Sequence, residues 1–161
     1  MRRLARFVSA TALAGCASMG QGSSAPPAPV SFVHSTSEAQ VTRVVDVREG
    51  LSRPQAMRIL TEALGASFTV EVVDPRAGFA MTAWQASLQH EGVPDLRYRT
   101  RITARFIGDD WRRLQVRDEA NWQHGEEWDV GYDARQLDSV SADLRTKFAR
   151  RTPSGAMPHL R

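Results

Sequence analysis

Apolar and polar side chains alternate most clearly over residues 97–107. The residues expected to face the core are Tyr98, Thr100, Ile102, Ala104 and Phe106, and the residues between them are mostly arginine. A period of two is typical of a β-strand with one buried face and one solvated face. Gly108-Asp109-Asp110 predicts a turn, and residues 111–121 predict the returning strand. A tight turn would place Ile102 opposite Val116 and Ala104 opposite Leu114, with a register uncertain by a residue or two.

Five further elements precede or follow this pair. Residues 41–47 are β-branched and predict a strand. Ser52-Arg53-Pro54-Gln55 has the spacing of a capping box, which predicts a helix that ends at Gly65 with a left-handed cap. Residues 67–74 and 79–87 predict an antiparallel hairpin. Residues 88–96 and 122–132 are predicted as connections, and Asp133 caps a last helix whose apolar stripe is Leu137, Val140, Leu144 and Phe148.

The element order is therefore strand, helix, four strands and helix. We expect an α+β fold in which an antiparallel sheet of about five strands carries both helices on one face, since this arrangement buries both apolar stripes.

The first sixteen residues have the layout of an export signal, with a basic head followed by a short apolar run. This run ends in Leu13-Ala14-Gly15-Cys16, which resembles the lipobox of bacterial lipoproteins. The resemblance implies that Cys16 is acylated after the signal is removed. It also implies the periplasmic face of the outer membrane, because Ala17 stands where an aspartate favours inner-membrane retention. The alternative is an ordinary signal cut near Ala14, which gives a soluble periplasmic or secreted protein with an incidental thiol at Cys16.

The predicted organisation has four parts: a signal peptide at 1–15, a lipidated disordered tether at 16–39, one globular domain at 40–151 and a flexible tail at 152–161. The three arginines before residue 15 leave with the signal, so 18 of the 21 basic residues remain against 18 acidic residues. The formal net charge of the mature chain is then zero. This balance argues against a nucleic-acid partner, which a basic protein would attract.

Five arginines on the paired strands are the candidate residues for binding an anion or a partner: Arg99, Arg101, Arg105, Arg113 and Arg117. The tight-turn register places Arg105 opposite Arg113, Arg101 opposite Arg117 and Arg99 opposite Glu119. Directly opposed like charges are unfavourable unless an anion lies between them. One interpretation is a basic face that binds an acidic ligand, a lipid headgroup or a glycan. The alternative is a solvated face whose charges are neutralised by nearby carboxylates.

Three tryptophans, Trp111, Trp122 and Trp128, grouped with Trp84 and Tyr132, are candidates for aromatic contact with a ligand or partner. The alternative is that these rings belong to the core or to the sheet edge.

The chain shows no nucleophile elbow, phosphate loop or dinucleotide fingerprint, so we expect no enzymatic activity and no cofactor. His124, Glu126, Glu127 and Asp129 lack the spacing of a metal site, and no metal is expected. A hydrolase would need a deep pocket that holds His124 or His90 beside a carboxylate.

Residues 56–121 carry a second resemblance. A helix beginning near Pro54, the segment from Gly65 to Glu71, an acidic turn ending in Gly78 and an aromatic-bearing strand are similar to the helix-grip modules of a lipoprotein component of the outer-membrane β-barrel assembly machinery. This resemblance implies a noncatalytic scaffold or protein-binding role in outer-membrane assembly or maintenance. The alternative function is a binding domain for an acidic ligand through the arginine-rich face. The sequence identifies neither the partner nor the oligomeric state.

Overall fold

A computed structural model of the chain describes residues 28–35, 41–87, 89–90 and 93–150. The predicted signal peptide, Cys16 and the predicted tail lie outside these residues. The strands are β1 (Phe32–His34), β2 (Thr42–Asp46), β3 (Val70–Asp74), β4 (Phe79–Thr82), β5 (Gln85–Ala86), β6 (Gln89–His90), β7 (Val93–Pro94), β8 (Tyr98–Ile107), β9 (Arg113–His124) and β10 (Glu127–Asp133). The helices are α1 (Arg53–Gly65) and α2 (Ala134–Ala149).

The fold is α+β, with an open antiparallel sheet and two helices. The order along the sheet is β1-β10-β9-β8-β4-β3, while β2 joins β9 and β5 joins β8. One edge of β9 therefore has two neighbours, since β2 pairs with its first half and β10 with its second half. The short strands β6 and β7 form a separate ribbon. Among the described residues, neither helix is long and apolar enough to cross a membrane.

The capping residues of both helices are those that the sequence predicts. Ser52 caps α1 in a complete capping box with Gln55, and Pro54 lies in the first turn. Asp133 caps α2 by accepting a hydrogen bond from the Gln136 amide at 2.9 Å. The left-handed cap predicted at Gly65 is wrong. Gly65 is the last helical residue, and Ala66 follows it with φ of −68°.

The main core joins both helices to one face of the sheet. Leu60 and Leu64 of α1 and Leu137, Leu144 and Phe148 of α2 are almost completely buried. They form one cluster with inward-facing strand residues, which are Val45, Ala80, Ile102, Ala104, Phe106, Leu114 and Val116. The alternation predicted for residues 98–106 is confirmed, because Tyr98, Thr100, Ile102, Ala104 and Phe106 are all buried and the residues between them are not.

The sheet has eight strands, so the predicted number of about five is wrong. Residues 122–132 are not a loop: β9 continues to His124, and a two-residue turn at Gly125-Glu126 leads into β10. Gly125 has φ of 65°, a conformation that tight hairpin turns require and glycine adopts readily. The predicted strand 79–87 divides into β4 and β5. The predicted connection 88–96 contains β6 and β7.

Strand β1 corrects the extent of the predicted tether. Phe32 to His34 fall within residues 16–39, yet they pair with β10. Three residues are too few to show periodicity in a sequence rich in proline and serine. Phe32 nevertheless packs against a second buried cluster made of Tyr98, Ala120 and Trp122.

Candidate functional site

The face of the sheet opposite the core cluster, here called the open face, carries the five candidate arginines. Arg99, Arg101 and Arg105 alternate with the buried residues of β8. Arg117 pairs with Thr103, and Arg113 pairs with Ile107. Residues that pair across an antiparallel ladder share a face, so Arg113 and Arg117 also lie on the open face.

The predicted opposition of arginines on this face is wrong. Residues 108–112 all belong to the connection between β8 and β9, so the register is shifted by two residues from the one expected for a tight turn. Ala104, not Ile102, is opposite Val116. Arg101 consequently faces Glu119, and Arg105 faces Gln115. Arg99 faces Asn121.

The shift arises from Trp111. Its backbone has φ of 53°, and its ring turns back into the core to stack on Phe106 with centroids 4.7 Å apart. Burial of a large ring compensates for the cost of this backbone conformation. A sequence pattern that counts only apolar alternation has no means of assigning Trp111 to a loop rather than to the start of β9.

Two indoles and two guanidinium groups form a stack on the open face, here called the tryptophan–arginine ladder. Arg99 lies between the rings of Trp84 and Trp128, with its Cζ 5.1 Å and 4.4 Å from their centroids. Arg101 contacts Trp84 from the next open-face position of β8, two residues after Arg99, with its Cζ 4.6 Å from the centroid. Cation–π contacts of this kind contribute about 0.5–1 kcal/mol each at exposed sites and more when desolvated.

Glu119 neutralises much of the charge beside the ladder. Its carboxylate contacts Arg101 Nη2 at 2.6 Å and Arg117 Nη2 at 3.2 Å. Arg105 and Arg113 are exposed and lie farther along the same strands, without an ion pair among the described residues. The five arginines therefore do not converge on a single anion site.

The three candidate tryptophans have different environments. Trp111 and Trp122 are 7 % and 3 % exposed and pack in the interior, so for these two rings the structure agrees with the alternative of core packing. Trp128 is 38 % exposed and lies on the open face. Its partner in the ladder is Trp84, which belongs to the same predicted aromatic group as the three candidates. Trp84 lies in the break between β4 and β5.

A cleft of about 220 Å³ adjoins the ladder, where β2 and β10 diverge along the edge of β9. Trp84 belongs to both the cleft and the ladder. Asn121, Val130 and Tyr132 line the cleft further. Val130 is 58 % exposed, and Val44 on β2 is 47 % exposed. The open face thus combines accessible apolar groups with stacked arginines.

A buried acidic cluster lies on the opposite side of the sheet. The Asp133 carboxylate accepts hydrogen bonds from the hydroxyls of Tyr98 at 2.7 Å and Ser31 at 2.8 Å. The Asp133 amide donates to Asp118 Oδ1 at 2.7 Å, while Asp118 Oδ2 has no hydrogen-bond partner among the described residues. Burial raises the pKa of Asp118 to about 7, and the nearby Asp133 carboxylate acts in the same direction.

The same cluster perturbs Tyr98. Burial, followed by the hydrogen bond to Asp133, raises the pKa of this phenol above its usual range, so that Tyr98 stays a hydrogen-bond donor. Asp133 also lines a cavity of about 410 Å³ between the end of α1 and the start of α2. Sequence reasoning missed this cluster. A signal was present, since Asp118 occupies an inward position of the alternation that includes Val116 and Ala120.

The four residues considered for a metal lie around the exposed β9–β10 turn. The part of the chain that the structure describes contains no group of three or more histidine, cysteine, aspartate or glutamate side chains placed to hold a metal ion. The backbone of His90 lies in β6, and its side chain lies outside the described part of the chain.

Comparison with known proteins gives no family. No protein-family model matches the chain, and no curated protein matches it.

Proposed function

We propose that this protein is an envelope lipoprotein, anchored through acylated Cys16, whose α+β domain binds a protein partner on the open face of its sheet. The role is noncatalytic, as a scaffold or binding module in outer-membrane assembly or maintenance on the periplasmic side. The anchor rests on the lipobox resemblance at Leu13-Ala14-Gly15-Cys16. The binding role rests on the open face.

The binding role rests on a difference between the two faces of the sheet. Both helices pack against one face, and among the described elements none covers the other. The open face exposes Trp128, Val130 and Val44 next to the tryptophan–arginine ladder. Aromatic and arginine side chains beside accessible apolar groups are enriched where proteins bind one another.

The charge distribution favours a protein over an anionic membrane or glycan. Two of the five arginines are paired with Glu119, and Arg99 stacks between indoles. Arg105 and Arg113 remain exposed but lie apart from the ladder. A surface that attracts polyanions needs several unpaired cations close together.

Site-specific photo-crosslinking tests the binding role in cells that express the full chain. A photoreactive residue at Val130 or Val44 probes the open face, and one at Arg145 on α2 serves as the matched control. We expect the same discrete protein adduct from both open-face positions and none from Arg145. Equal adducts from all three positions, or lipid adducts alone, would contradict the proposal.

The anchor is tested separately with Cys16→Ala. We expect loss of acyl incorporation and transfer of the protein from the membrane fraction to the soluble fraction, because acyl chains supply about 0.8 kcal/mol per buried methylene. Unchanged membrane association would contradict the anchor and leave the crosslinking result standing.

A further inference from the structure

We infer that Arg99 is a carboxylate-recognition residue, which binds an acidic side chain or a terminal carboxylate of the partner between Trp84 and Trp128. The inference rests on the proposed function and specifies the partner chemistry of the same face.

The Arg99 guanidinium is held in place before any ligand arrives. Indoles flank it on both sides, at 5.1 Å and 4.4 Å from Cζ. Restricting a long side chain in this way lowers the conformational entropy lost on binding.

The nitrogens of the Arg99 guanidinium determine which edge of this group a ligand can bind. Nε is buried and has no hydrogen-bond partner among the described residues, while the Arg99 side chain as a whole is partly exposed. The terminal nitrogens present parallel N–H donors, which match the two oxygens of a carboxylate.

Arg99 differs from Arg101 because no carboxylate among the described residues of the chain is paired with it. Arg101 contacts Glu119, but no carboxylate among the described residues lies within ion-pair distance of Arg99. The residue opposite Arg99 on β9 is the neutral Asn121. A cation held beside two indoles without a counter-ion is a position that a ligand anion completes.

A monoanion fits this setting better than a phosphate dianion. Arg99 offers one positive charge, and Arg101 and Arg117 are already paired. The Glu119 carboxylate, two residue pairs away from Asn121 along β9, repels a second negative charge more strongly than a first. The adjoining cleft, lined by Trp84, Asn121 and Val130, gives space for an apolar residue next to the bound carboxylate.

The test is an NMR titration of the purified full-length chain with short peptides. The probes are acetyl-Val-Glu-Val-amide, acetyl-Val-Ala-Val with a free carboxyl terminus, neutral acetyl-Val-Gln-Val-amide, and inorganic phosphate. The signals followed are the Arg99 Nε–H and the indole N–H groups of Trp84 and Trp128. Arg99→Gln removes the cation, Arg99→Lys keeps the charge without the paired donors, and Arg105→Gln is the matched control on the same strand.

We expect saturable shifts with one or both carboxylate peptides and none with the glutamine peptide. The peptide that binds identifies the source of the carboxylate, either a side chain or a chain terminus. Arg99→Gln and Arg99→Lys should each weaken binding by about tenfold or more, as loss of a charge-assisted hydrogen bond implies, whereas Arg105→Gln should leave it unchanged.

Three results overturn the inference: equal binding of the glutamine peptide, tighter binding of phosphate than of both carboxylates, or no saturable shift at all. The comparison of peptides uses the unmodified protein, so it holds even if a variant fails to fold. If crosslinking at Val130 succeeds while carboxylates do not bind, the partner role stands and the role of Arg99 does not.

Discussion

Replacing Asp118 with asparagine tests whether a buried carboxyl limits the stability of the fold at neutral pH and above. Asp118 is 2 % exposed, and only one of its oxygens has a hydrogen-bond partner among the described residues. Its neighbours across the sheet and at the start of α2 are Tyr98, Asp133 and Gln136, while Glu119 adjoins it along β9. None of these groups is a cation that would stabilise the ionised form.

The sign of the effect follows from the two pKa values. The pKa of Asp118 is about 7 in the folded protein, and an unperturbed aspartate has a pKa of about 3.9. The folded state therefore holds the proton more tightly than the unfolded state. Its contribution to stability is fully present below about pH 4 and is lost as the pH rises through about 7. At about 1.36 kcal/mol per pH unit, the loss amounts to about 4 kcal/mol.

The assay is urea denaturation of the native chain and of Asp118→Asn at a series of pH values between 4 and 8. The buried Trp111 and Trp122 provide the fluorescence signal. The amide cannot ionise, so the difference in unfolding free energy between the two proteins should shift by about 4 kcal/mol in favour of the variant across this range. A constant penalty from the new amide group cancels in that comparison.

Asp143→Asn on α2 serves as the control for removing an exposed carboxylate. Carbon-13 NMR of the Asp118 carboxyl provides an independent titration of the same group. A free-energy difference that stays constant within about 1 kcal/mol over the pH series would refute the reasoning, because it would mean that Asp118 ionises alike in both states.

Three structural predictions follow from close contacts. Gly131→Ala places a methyl group against the Val33 carbonyl oxygen, so we expect β1 to detach and its amides to lose hydrogen-exchange protection; retained protection would contradict the pairing of β1 with β10. Gly78→Ala combines φ of 63° with contact on the Trp111 ring and should cost about 1–3 kcal/mol in thermal or urea unfolding, and no measurable loss would contradict this packing. Tyr98→Phe removes one of the two hydroxyl donors to Asp133 Oδ2, leaving Ser31, and should cost about 1–3 kcal/mol by the same measurement, whereas a neutral result would show that this hydrogen bond is dispensable.

Local chemistry explains what the sequence allowed us to predict. The Ser52 capping box and the alternation from Tyr98 to Phe106 depend on residues a few positions apart, and both are present in the structure. The class of fold follows from these patterns, since amphipathic helices and half-buried strands must cover one another.

Interactions between distant residues explain what could not be predicted. The register of β8 and β9 depends on Trp111 leaving the strand pattern to stack on Phe106. The site depends on Trp84 reaching Arg99 and Arg101 across the sheet. Neither contact has a periodic signature. Each is decided by the space that the folded sheet leaves, which only the three-dimensional arrangement defines.

Strand β1 connects the proposed anchor to the proposed binding surface. It pairs with β10, the strand that carries Trp128 and Val130, and Ser31 donates a hydrogen bond to Asp133 at the end of that strand. If Cys16 is acylated, the sixteen residues from Ala17 to Phe32 span at most about 55 Å of extended chain. A partner bound on the open face then lies no farther from the lipid surface than this length plus the width of the domain. The chain enters the domain at β1, beside β10. Lengthening the segment before Ser31 should therefore change how far the partner lies from the membrane without changing the contacts of Arg99.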